Sequence, residues 1–121
     1  MRRRDIGILG ENIARDFLLR KGYQIISKNY RCPYGEIDII ARDDDCLVFV
    51  EVKTRTSLEF GHPEESITAT KQVRLRQVAL HYLQAYYDSP PDWRIDVVGI
   101  RLDQKAKPER IELIKNAVQE E

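Results

Sequence analysis

In the segment GEIDIIARDDDCLVFVEVKTR, Gly35 to Arg55, four charged side chains stand out: Glu36, Asp38, Glu51 and Lys53 interrupt runs of Ile, Val and Phe with the composition of core strands. Carboxylates that face one another across a strand pair repel, and the pairing costs stability unless something positive lies between them. A hard divalent cation meets that need. Magnesium takes oxygen ligands, often only one or two protein carboxylates completed by water and substrate phosphate. Asp38 and Glu51 could supply those oxygens, and Lys53 could orient or help deprotonate a metal-bound water. Such a set is suited to hydrolysing a phosphodiester. The competing reading is a cross-strand salt bridge between Glu36 and Lys53, with Asp38 facing solvent.

Whether these groups meet depends on the strands that carry them. Side chains alternate between the faces of a strand, so Leu47, Phe49, Glu51 and Lys53 share one face, and Val48, Val50 and Val52 the other. In the preceding strand Glu36, Asp38, Ile40 and Arg42 share a face. A four-residue turn over Asp43 to Cys46 pairs Arg42 with Leu47, Ile40 with Phe49, Asp38 with Glu51 and Glu36 with Lys53. A slip of one residue would separate the charges.

The remaining elements follow from periodicity and punctuation. Apolar residues at Ile6, Leu9, Ile13, Ala14, Phe17 and Leu18 predict a first helix over Ile6 to Lys21, stopped by Gly22. Tyr23 to Tyr30 reads as a strand followed by a turn, and Glu36 to Arg42 and Leu47 to Thr54 as two more. Arg55 to Thr68 has no period of its own and reads as a loop. Val73, Leu75, Val78, Ala79, Tyr82, Leu83 and Tyr86 predict a long helix over Thr68 to Tyr87, ended by Asp88-Ser-Pro-Pro. Strands are expected at Arg94 to Leu102 and Arg110 to Ile114. This order predicts an α/β domain with helices packed on a mixed sheet. With 121 residues the chain has the size of one domain, 1–121, with flexible tails at 1–4 and 116–121.

Composition narrows the function classes. No apolar run approaches a membrane span, and Gly7 and Glu11 interrupt what would be a signal peptide, so a cytoplasmic location without membrane partners is expected. Two cysteines, Cys32 and Cys46, are too few for a disulfide framework or a zinc site. The formal net charge of zero hides a segregation. Residues 1–31 carry eight Lys or Arg against three acids, and residues 32–53 six acids against two bases. Lys71, Arg74 and Arg76 occupy the second helix without any acid. Basic segments flanking an acidic strand pair suit a polyanion held by its phosphates around a cation site; solvated helix faces are the alternative.

GEIDIIA followed by LVFVEVKTR resembles the YraN-like family of uncharacterised bacterial proteins, itself similar to the PD-(D/E)XK restriction-endonuclease-like nucleases and to archaeal Holliday junction resolvases. GENIARDFLLRKGY resembles the family's first helix, and FGHPEESITATKQVRL its loop and following helix. The twelve residues between Asp38 and Glu51, with Lys53 after one more, fit the signature, although Ile37 stands where proline would be. The resemblance implies a restriction-endonuclease-like three-layer αβα sandwich with a central mixed sheet. It also implies magnesium or manganese held by Asp38, Glu51 and the Val52 carbonyl, Lys53 as catalytic lysine, and Glu11 completing the site. Alone, Glu11 reads as a solvated first-turn acid.

Lys71, Gln72, Arg74 and Arg76 are candidates to contact a nucleic-acid backbone. His62 is an incidental loop histidine or a phosphate contact, and Asp43 to Asp45 form a solvated turn. Trp93, Tyr82, Tyr86 and Tyr87 read first as core or interface residues, with base-stacking platforms as the distant alternative. Asp96 anchors a basic neighbour. The resolvase relatives, which are dimers, imply a homodimer. Three functions are compatible with these residues: a metal-dependent DNA nuclease of repair or recombination, acting on branched or single-stranded substrates; a nucleic-acid-binding module without turnover; and a protein-docking domain.

Overall fold

The computed structural model of the chain describes residues 1–56 and 62–119. Helix α1 (Arg3–Arg20) presents Gly10, Ala14 and Leu18 as its fully buried stripe, one residue per turn. It ends where Gly22 takes φ 91, letting Tyr23 N–H bond back to Leu18 C=O at 3.0 Å. That is the glycine-dependent stop expected there. Strands β1 (Gln24–Cys32), β2 (Gly35–Asp43) and β3 (Cys46–Thr56) follow. Residues 57–61 of the expected loop lie outside the described residues, and Pro63–Ser66 forms one 3-10 turn. Thr68 then caps helix α2 (Ala69–Tyr86) by accepting the Lys71 N–H at 3.2 Å. Strands β4 (Trp93–Leu102) and β5 (Pro108–Ile114) complete the chain.

The five strands form one sheet in the order β1-β2-β3-β4-β5. All neighbours run antiparallel except β3 and β4, which are parallel, with α2 in the crossover between them. Each face of this mixed sheet is buried. On one, Ala14 and Leu18 of α1 pack with Ile39, Ala41, Val48, Val50, Val98 and Ile100. On the other, Leu75, Val78, Ala79, Tyr82 and Leu83 of α2 cover Ile37, Ile40, Leu47, Phe49, Ile95 and Val97. The result is the α/β three-layer αβα sandwich that the resemblance implied. Among the described residues no helix is long and apolar enough to cross a membrane.

Two expectations are corrected. The hairpin turn is two residues, not four: Asp43 pairs with Cys46 and Asp44 takes φ 52, while the Arg42–Leu47 and Ile40–Phe49 pairs stand as read. Within the expected tail 116–121, residues 116–118 are held: Ala117 N–H donates to Ile95 C=O and Asn116 N–H to Asp96 Oδ1, both at 2.9 Å, and Val118 is buried, while residues 120 and 121 lie outside the described residues. At the opposite terminus the helix starts at Arg3, inside the expected tail.

Asp96, at 0% exposure, explains that anchoring. Arg94 donates to its carboxylate at 3.0 Å and, through the same guanidinium, to Asp43 Oδ2 at 2.9 Å and to the Tyr23 hydroxyl at 2.8 Å. Asp96 does anchor a basic neighbour, and Asp43 is part of this network rather than of a solvated turn. Phe49, Tyr82 and Trp93 stack edge to face within the core, while Tyr86 is exposed.

Candidate active site at a strand fork

The β2–β3 ladder runs from the turn as far as Ile39 and Val50 and stops there. Asp38 and Glu51 are therefore not the next rung, nor Glu36 and Lys53 the one after, as the hairpin register predicts. The irregularity lies in β2. Ile37 packs on the α2 side and Ile39 on the α1 side, whereas residues two apart share a face in a regular strand. Across from this kink, Asn29 of β1 has φ 54, between Lys28 and Tyr30, which pair with Ile39 and Ile37. The strands fork, and Asp38 occupies the gap. Its Oδ2 accepts the Val52 N–H at 2.7 Å, replacing the missing strand partner. Backbone N–H and C=O of one residue in an extended strand point to the same side, so the Val52 carbonyl also faces the fork.

Glu11 from α1 and Glu51 from β3 both come within hydrogen-bonding reach of the Asp38 carboxyl. Glu11 reaches the fork because its neighbour has no side chain: a Cβ on Gly10 would overlap Thr54 Oγ1 and lie 2.8 Å from Thr54 Cβ. Gly10 thus lets α1 settle on β3. Lys53 lies near Glu51, Asp38 and Lys71, the last from the first turn of α2. Glu11, Asp38, Val52, Lys53 and Lys71 line one open cleft of about 590 Å³, together with Arg3 and Arg55.

The electrostatics are those of crowded acids. Burial, then the adjacent Glu51, push the Asp38 carboxyl up to about 8, and the Val52 N–H only partly offsets this. Burial and the neighbouring Asp38 raise Glu11 to about 7. The Lys53 ammonium is held below its ordinary value by burial, with Lys71 adding repulsion against the attraction of Glu51 and Asp38. Without a cation the carboxylate cluster keeps a proton at neutral pH. Among the described residues no group of three or more His, Cys, Asp or Glu side chains is placed to hold a metal ion. Asp38, Glu51 and the Val52 carbonyl offer oxygen donors alone, the donor type that magnesium and manganese take together with water.

Other expected residues lie elsewhere. Glu36 pairs with Arg31 at 3.1 Å on the surface, not with Lys53, because the fork removes the rung that would have joined them. Gln72 donates to Ile67 C=O at 3.2 Å, tying α2 to the 3-10 turn. Arg74 is exposed, and Arg76 donates to Gln119 C=O at 3.2 Å beside a hollow lined by Trp93 and Arg94. Of the four α2 candidates only Lys71 lines the cleft. His62 lies at a second hollow with Arg55, Arg101 and Arg110. Sequence reasoning missed Gly10 and these arginines. The signal for Arg55 was present, since it follows Lys53 by two residues and so shares its face.

Residues 10–100, which include Glu11, Asp38, Glu51 and Lys53, match the Uncharacterised protein family UPF0102. The chain is 48% identical over 119 residues to a UPF0102 protein of Caldicellulosiruptor bescii, covering 97% of this chain and 99% of that one. A UPF0102 protein of Moorella thermoacetica is 44% identical over 117 residues, with 97% and 98% covered. Another, of Syntrophus aciditrophicus, is 49% identical over 113 residues, with 92% and 86% covered. These matches span the helices, the hairpin and the fork alike, and the chain belongs to the uncharacterised protein family UPF0102.

Proposed function

We propose that the protein hydrolyses phosphodiester bonds in DNA with the help of magnesium or manganese. One observation carries this reading: carboxylates from α1, β2 and β3 converge at a fork in the sheet with a half-buried lysine beside them. A surface built for stability alone would separate Glu11, Asp38 and Glu51, because burying like charges together is costly. A bound dication would supply Lewis acidity toward the phosphate and a more acidic water. The residues to hold it are Asp38, Glu51 and the Val52 carbonyl, with Glu11 alongside. Asp38 is oriented for this by the Val52 N–H. Lys53, with its proton affinity lowered, is suited to positioning the attacking water and moving its proton at Nζ. Lys71 adds positive charge where the phosphate would lie.

The test uses purified protein on linear, single-stranded and four-way DNA, with manganese or with chelator. Cleavage should require the metal and be lost at least a hundredfold in Glu51→Gln and Lys53→Ala variants that keep the circular dichroism of the parent. Salt-sensitive DNA binding indifferent to Lys53→Ala, without cleavage on any substrate, would instead support a binding module.

A further inference from the structure

Two glycines stand three residues apart in α1, and packing explains only one of them. Gly10 is buried against Thr54, which fills the place of a side chain. Gly7 is exposed, and among the described residues nothing lies within 4 Å of the point its Cβ would occupy. It keeps helical backbone without a positive φ, so neither space nor conformation calls for glycine there. Glycine in a helix interior is destabilising relative to alanine, because it loses more conformational freedom on folding. The fold gains nothing at Gly7 that offsets this.

The setting of Gly7 supplies a reason. Arg3, Gly7 and Glu11 follow at four-residue intervals and so stand one above the other on a single helix face. All three line the cleft of about 590 Å³ whose other walls carry Asp38, Lys53 and Lys71. The helix wall of this cleft therefore runs from a cation, over a gap, to a carboxylate. Arg3 is exposed, and among the described residues no ion pair holds its guanidinium. With Gly7 bare, a chain lying along the wall can touch the helix backbone between the two charged groups. Any side chain at this position would stand in its path.

We infer that Gly7 is a clearance position for the substrate: a nucleic-acid strand lies directly against α1 there, with the bond to be cut at the carboxylate fork and a flanking phosphate on Arg3. The inference rests on the nuclease reading for its substrate. Arg3 is two helical turns, about 12 Å, from Glu11, which is a few nucleotides of strand at about 3.4 Å each. A guanidinium can hold a phosphate through two parallel N–H bonds, and the contact carries no base information, so it positions any sequence. A helix of a second copy also packs closely on glycine. This cleft leads instead to carboxylates and a half-buried lysine, which suit a phosphodiester chain and not an apolar helix face.

Fluorescence anisotropy with labelled single-stranded and duplex oligonucleotides in chelator, over a series of salt concentrations, tests this wall separately from cleavage. Gly7→Ala should raise the urea midpoint, because alanine favours the helix and meets open space, and yet bind DNA more weakly than wild type. Gly7→Leu reaches further into the cleft and should bind about tenfold more weakly, with a urea midpoint no lower than that of wild type. Arg3→Gln should lose about one from the slope of log affinity against log salt, and Arg4→Gln, outside the cleft, should lose less. Undiminished binding by Gly7→Leu would overturn the inference, as would equal losses in Arg3→Gln and Arg4→Gln or wild-type protein that binds no oligonucleotide. A lowered midpoint in Gly7→Ala, or a changed oligomeric state of Gly7→Leu in sedimentation, would overturn it too, since the glycine would then serve the fold or a second copy. The two readings fail differently. Cleavage by wild type with undiminished binding by Gly7→Leu removes the clearance role and leaves the nuclease. Weaker binding by Gly7→Leu, with no cleavage by wild type in manganese, leaves the strand path along α1 and removes the nuclease.

Discussion

Asp38 holds a proton that an aspartate on a surface would have lost, and this links a side chain to the stability of the whole chain. Folded, its carboxyl titrates near 8, against an ordinary value of 3.8. Between those values the folded chain binds more protons than the unfolded one, so stability falls as pH rises toward 8. Glu11 acts in the same direction between its ordinary 4.5 and about 7. In chelator, the urea midpoint should therefore decline between pH 5.5 and 8.5, and Asp38→Asn should flatten that decline. Manganese added at pH 8 should raise the midpoint of the wild type and leave Asp38→Asn little changed, since the cation would replace the proton. A midpoint that rises with pH in chelator would contradict the burial of this carboxylate among other acids.

One helix–strand contact positions the acid from α1. The buried stripe of Gly10, Ala14 and Leu18 lies on the sheet, and Thr54 occupies the space where a Gly10 side chain would be. Gly10→Ala should destabilise by about 1–3 kcal/mol through overpacking and move Glu11 away from Asp38. Thr54→Ala should relieve part of the overlap, so a double-mutant cycle should give a favourable coupling between the two positions. Additive effects would mean that α1 yields elsewhere. The fork obeys the same logic at the level of strands. β2 stays paired to β1 at Ile37 and Ile39 but leaves β3 after Ile39, and only this parting lets Asp38 bond the Val52 N–H.

Across the whole molecule, the parallel pair β3–β4 connects two polar centres of different kinds. At one end Arg94 joins Asp96, Asp43 and Tyr23 and, through Asp96, holds residue 116. Gly99, which pairs with Lys53, lies five residues beyond Arg94 and three beyond Asp96, roughly 17 and 10 Å along the strand. Arg94→Ala would leave a fully buried Asp96 without its cation and should cost about 3–5 kcal/mol. Because the two ends are separate, thermal midpoint should fall sharply while the manganese-induced rise in midpoint persists in the folded variant. Loss of that rise at temperatures where the variant is folded would show that the two centres are coupled.

Much of this protein was determined by local patterns. Helical spacing set α1 and α2, and alternation with Gly, Pro and Asp at the breaks set five strands, because both periods arise from backbone geometry that neighbouring residues impose. The near end of the hairpin register was legible for the same reason, through the apolar pair Ile40–Phe49, which carries Arg42–Leu47 with it. Asp38, Glu51 and Lys53 could be singled out because charge inside an apolar run is conspicuous. Only tertiary structure decided that β2 leaves β3 at Asp38, that Glu36 turns to Arg31, and that Gly10 brings Glu11 to the fork. It also decided that Arg55, Arg101 and Arg110 stand in one row. Those outcomes depend on pairing between residues distant in the chain and on the space left between packed layers, and neither is encoded in the spacing of any one segment.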